Sequence, residues 1–127
     1  MNARRISSSS GLVIVAKTWI QAPKDSTPIE FEEVWDLDGS TEKSNAKKRF
    51  LQVKEHLINY GLATEIDFRK ILRMLEIGNG AKREVETWLM SYNVFKHYIS
   101  SSQTERGYRT RAKLHQAEEE LERIKRN

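Results

Sequence analysis

No cysteine occurs among the 127 residues, which excludes disulfides and thiolate metal sites and fits a reducing interior. The two prolines, Pro23 and Pro28, fall in one short loop, "QAPKDSTP", so neither interrupts a periodic segment. The longest apolar run, Leu12–Ala16, is far too short to span a bilayer, and no membrane partner is expected. No acidic residue precedes Asp25, whereas Arg4, Arg5, Lys17 and Lys24 do, with serines at 7–10. That composition is shared with targeting leaders, but a mobile or loosely docked terminus is the expectation. A phosphate-gripping glycine loop, a serine-nucleophile signature and an isolated carboxylate pair are all missing. His56, His97 and His115 lie in three different elements without ligand spacing. The sequence therefore reads as a non-enzyme, with no catalytic residue, no metal and no cofactor.

What is present is charge, unevenly spread. Residues 1–40 carry a balance of −2 and residues 41–127 a balance of +6, for a net +4. An excess concentrated in the C-terminal part favours a polyanionic partner. The length suits one domain with an arm, and the chain divides into three parts. Residues 1–40 form an N-terminal strand pair or arm, 41–113 a globular domain, and 114–127 a terminal helix.

Within the first part, "LVIVAKTWI" is rich in branched and aromatic residues and reads as a strand. "IEFEEVWDLD" alternates, with Ile29, Phe31, Trp35 and Leu37 on one face and Glu30, Glu32, Asp36 and Asp38 on the other, broken at Glu33/Val34. Together they predict a hairpin with an acidic face. "DGSTEKSN" follows, with candidate helix caps at Ser40, Thr41 and Ser44. Ala46, Phe50, Val53, Leu57 and Tyr60 then recur at helical spacing up to Gly61.

Thr64 and Asp67 have the spacing of a capping box. Phe68, Ile71, Leu72 and Leu75 follow at i, i+3, i+4, i+7, which predicts a second helix. "GNG" at 78–80 breaks it, and "AKREVETWLMSYN" predicts a third helix over 81–93. "VFKHYI" and "YRTRAK" read as strands around the polar turn "SSSQTERG". Leu114, Ala117, Leu121 and Ile124 make an apolar seam of two heptads, too short to stand alone.

The order helix, helix, tight turn, helix, basic hairpin, terminal helix resembles the winged helix-turn-helix domain over roughly residues 42–113. "LRMLEIGNGAKREVETWLMSYNVFKHY" is similar to that family's second helix, turn, recognition helix and approach to the wing. The appended helix resembles those of PadR-like and MarR-like regulators. The fold class expected is α+β, mainly α: a winged helix with an N-terminal β-hairpin or arm. The resemblance implies a small dimeric transcriptional regulator that binds double-stranded DNA, cytoplasmic or nucleoid-associated. Helix 81–93 would enter the major groove and the 99–111 wing would lie on the backbone. The expected DNA contacts are Lys47, Lys48, Arg49, Arg69, Lys70, Lys82, Arg83, Thr87, Arg106, Arg109 and Arg111. Leu114, Ala117, Leu121 and Ile124 would form the homodimer.

The alternative is a protein-interaction module on the same scaffold, part of a larger complex or a phage- or plasmid-encoded effector that binds a host protein. The acidic and aromatic strand at 29–38 favours it, because those carboxylates repel phosphate and attract a basic partner. RNA is a third option, although the aromatics sit at core-periodic positions and offer no evident stacking platform.

Overall fold

A computed structural model describes residues 9–39 and 42–126; the basic-serine terminus at 1–8 and the cap candidates Ser40 and Thr41 lie outside them. The elements in chain order are α1 (Ser9–Gln21), β1 (Ile29–Glu30), α2 (Phe31–Asp38), α3 (Lys43–Asn59), a 3-10 turn (Glu65–Asp67), β2 (Phe68–Gly78), β3 (Ala81–Met90), α4 (Tyr92–Ser100) and α5 (Glu105–Arg126). The class is α+β and mainly helical, with one antiparallel sheet of order β1-β3-β2.

α3 forms where its periodicity places it. Ala46, Phe50 and Leu57 are buried, and Gly61, at φ +73°, turns the chain away in the left-handed region. Phe50 is the centre of the core, with its ring 5.7–6.3 Å from Phe31, Phe68, Trp88 and Tyr98.

Several other elements differ from expectation. Residues 12–20 are not a strand but the body of α1. Leu12, Val13, Ala16 and Trp19 are buried at helical spacing, and packing against α5 overrides the strand preference of the branched run. The alternation at 29–38 persists as a strand only for Ile29 and Glu30, after which the chain is helical. Phe31, Val34 and Leu37 are the residues buried, so the break at Glu33/Val34 marks a change of period.

The largest correction concerns residues 64–93. Thr64 N–H does donate to the Asp67 carboxylate at 2.9 Å, but the motif opens a single 3-10 turn rather than a helix. Residues 68–78 and 81–90 are strands paired from Phe68↔Met90 to Glu76↔Lys82, with a bulge before Gly78. The helical spacing of Ile71, Leu72 and Leu75 is a coincidence of composition, since Leu72 and Leu75 are exposed. The decisive local signal is Asn79-Gly80. Both residues have positive φ, +50° and +77°, the conformation that a two-residue type I′ hairpin turn requires.

The strands expected at 94–99 and 108–113 are likewise helical, in α4 and α5. Ser91 caps α4 by accepting from Val94 N–H at 3.3 Å. Asn93, expected to end a helix, sits in the first turn of α4 and donates to the Leu62 carbonyl. The turn between α4 and α5 packs tightly. A Cβ on Gly107 would fall 2.1 Å from the Ser102 hydroxyl, so only glycine fits there.

Candidate nucleic-acid interface

The β2–β3 hairpin is anchored only at its base. Phe68, Met90 and half-buried Trp88 pack under α3, with Lys54 over the Phe68 and Trp88 rings. β1 pairs with β3 only at Met90 and Leu89. From Leu72 outward no further strand pairs with the ribbon among the described residues, and Arg73 alone is bonded back to the body, through Glu30. At ~3.3 Å per residue it projects about 20 Å.

Strand alternation sorts the charges of this arm. Arg69, Arg73 and Arg83 share one face with Ile71, Leu75 and Val85, and no carboxylate of the two strands points that way. The opposite face carries Lys70, Lys82, Glu76, Glu84 and Glu86 with Leu72 and Met74. One face is therefore cationic and apolar, and the other mixed. Leu72 and Met74 are each 60% exposed and Ile77 62% exposed, an unusual concentration of apolar surface for a free ribbon.

The acidic stretch that looked free in the sequence is consumed inside the molecule. Glu30 holds Arg73 through two bonds, 2.5 Å to Nε and 3.0 Å to Nη2. Glu32 pairs with Lys43 and accepts from the Thr87 hydroxyl at 3.3 Å. Asp36 pairs with Arg106 at 3.2 Å, and buried Asp38 pairs with Arg49. A half-buried Glu33 lies among them. Burial pushes its carboxyl above the ordinary value, the Glu30 charge adds to that, and the Arg73 guanidinium opposes it. The strip at 29–38 is thus a set of internal counter-ions, not an open acidic face.

These pairings divide the expected DNA contacts into engaged and available residues. Arg49 lies 4.2 Å over the Tyr98 ring as well as against Asp38. Thr87 is buried. Arg109 pairs with Glu105 one turn earlier at 2.5 Å. Arg111 donates to the carbonyls of Ile99, Ser100 and Ser102 and so closes the C-terminal end of α4. The 99–111 segment is a helix end, a turn and a helix start, and its arginines serve that join. Lys70 lies over Trp88 and 3.9 Å from Glu86. Lys47, Lys48, Arg69, Lys82 and Arg83 have no carboxylate within ion-pair distance among the described residues. Three of these five stand on the arm and two on the first half of α3.

The expected dimer seam is also engaged. Leu114, Ala117 and Leu121 are buried, and α5 lies along α1 of the same chain. Ile124 alone of the four is exposed, at 65%. The seam is intramolecular because α1 is a helix with its own apolar stripe. The three histidines stand on α3, α4 and α5, with His56 stacked on Tyr60 and His115 3.6 Å from Glu119. No helix among the described residues is long and apolar enough to cross a membrane.

Sequence reasoning missed the arm itself. The exposed Leu72, Met74 and Ile77 and the free ribbon edge all follow from reading Asn79-Gly80 as a hairpin turn. No protein family, no curated protein and no solved structure matches this chain.

Proposed function

We propose that the chain is a DNA-binding protein of the small-regulator kind whose contact surface is the arginine face of the β2–β3 arm. The observation that carries this reading is the segregation of Arg69, Arg73 and Arg83 onto one face without an acid of the same ribbon. Guanidinium groups along a projecting strand suit phosphates, and apolar neighbours such as Leu75 and Ile71 suit sugar and base edges. In this reading the β2–β3 hairpin takes the part that the winged-helix resemblance assigns to 99–111, and no helix is needed in the groove. Glu30 acts as the resting counter-ion of Arg73 and yields to phosphate on binding.

The test is anisotropy against a random duplex over a salt series. Arg69→Ala with Arg83→Ala should weaken binding to all sequences alike and reduce the log–log salt slope by about two. An unchanged slope removes the arm from the interface, and no binding by the native protein at low salt removes the reading altogether.

A second reading, a protein-interaction module, is favoured by the exposed Leu72, Met74 and Ile77, because buried apolar side chains and not guanidinium groups anchor most protein interfaces. It predicts that Ile77→Ser, and not the arginine substitutions, abolishes binding to the partner.

A further inference from the structure

β2 is the edge strand of the sheet and runs for eleven residues. Apart from the Phe68 N–H, which donates to the Glu65 carbonyl, its outer row of backbone N–H and C=O groups pairs with no strand among the described residues. Such an edge is a template for another strand unless something blocks it. Neither a proline nor a covering helix does so here, and Leu72, Met74, Leu75 and Ile77 lie exposed along it among Arg69, Lys70, Arg73 and Glu76.

We propose that this edge pairs with the same edge of a second copy, antiparallel, about a two-fold axis at Arg73. The sequence of β2 is self-complementary over residues 70–76 in that register. Leu72 stands opposite Met74 of the second copy, Ile71 opposite its Leu75, and Lys70 opposite its Glu76. Directly opposed side chains of this kind stabilise a sheet through apolar contact and ion pairing. Moving the axis to Leu72 sets Lys70 opposite Met74 and Ile71 opposite Arg73. Moving it to Met74 sets Leu72 opposite Glu76. Either shift replaces matched pairs with mismatched ones.

The one like-charged pair in the favoured register is Arg73 against itself, and each copy already neutralises that guanidinium through its two bonds to Glu30. Opposed residues in an antiparallel pair point to the same side, so the arginine faces of the two arms are also brought onto one side. The pairing fixes the oligomeric state independently of what that face binds.

The absence of native cysteine makes the register directly testable. Opposed Cα atoms lie about 5 Å apart, within disulfide reach. Arg73→Cys should therefore form a disulfide-linked dimer by itself under mild oxidation. Leu72→Cys and Met74→Cys should cross-link only when the two proteins are mixed and allowed to exchange. Sedimentation of the native chain without nucleic acid should show a dimer, and Leu72→Lys should raise its dissociation constant by at least about tenfold with unchanged circular dichroism. A native chain that sediments as a monomer, with its arm free or taken up by another protein, overturns the proposal. So does a dimer that fails to cross-link through Arg73→Cys or through the mixed pair.

Discussion

Arg49 carries several roles at once. Its guanidinium neutralises Asp38, which has no exposed surface, and lies over the Tyr98 ring, whose hydroxyl donates to the Ala46 carbonyl at 3.2 Å. A buried carboxylate that loses a paired cation is costly, and more so than the pair is worth as stabilisation. Arg49→Ala is expected to destabilise the protein by about 3 kcal/mol in urea unfolding. Lys48→Ala, one residue away and exposed, should shift it by less than ~0.5 kcal/mol. Equal effects would mean that the Arg49–Asp38 pair is not a structural bond. The same contrast separates fold from function: Arg49 belongs to the core even though it sits in the basic triplet at 47–49.

Among the elements, α3 was legible because its apolar stripe, its length and its terminal glycine agree. The arm was not, because Phe68, Ile71, Leu72 and Leu75 satisfy a helical template by chance while strand alternation is masked by charge. Asn79-Gly80 carried the missing information. α1 was misread because Val13, Ile14, Val15 and Ile20 prefer strands locally, and its stripe gains meaning only once α5 is present to meet it. Of the candidate site, the cations at 47–48, 69–70 and 82–83 were visible in the sequence. Their sorting onto faces was not, since that depends on the β2–β3 register. The α1–α5 pairing makes its own prediction. Leu114→Ala should cost roughly 3 kcal/mol as a buried truncation, and Ile124→Ala within about 0.5 kcal/mol. Thermal unfolding of both variants checks this, and an oligomeric change on Leu114→Ala without destabilisation would return the seam to an intermolecular role.

At the scale of the molecule, the helical layer is clasped by ionic groups at its far end. Glu118 accepts from Tyr92 at 2.6 Å and from Lys96 at 2.8 Å, and Lys17 reaches Glu120 at 2.5 Å, tying α1 and α4 to α5. Burial pushes the Glu118 carboxyl upward, but hydrogen bonds from Lys96 and Tyr92 and the Lys96 charge outweigh it and leave it below the ordinary value. A folded value below the unfolded one means stability that is present above the unfolded value and lost as pH falls through the folded one. Unfolding followed from neutral pH down past about pH 4 should show that loss, and Glu118→Gln should flatten it. An unchanged acid limb in Glu118→Gln would assign the loss to other carboxylates.

The acids of β1 and α2 also constrain how the chain can be assembled. Glu30 and Glu32 bond to residues 43 and 55 positions later in the chain, and Asp36 to one 70 positions later. The Leu37 carbonyl waits for the Thr110 hydroxyl, 73 residues on. During synthesis, α2 emerges with its carboxylates and this carbonyl facing water, and the counter-ions of β1 and α2 arrive from three later elements, α3, β2 and α5, in turn. The helix therefore completes its contacts only once α5 has been made, although it is itself made early, and these long-range bonds tie it to the C-terminal part of the chain.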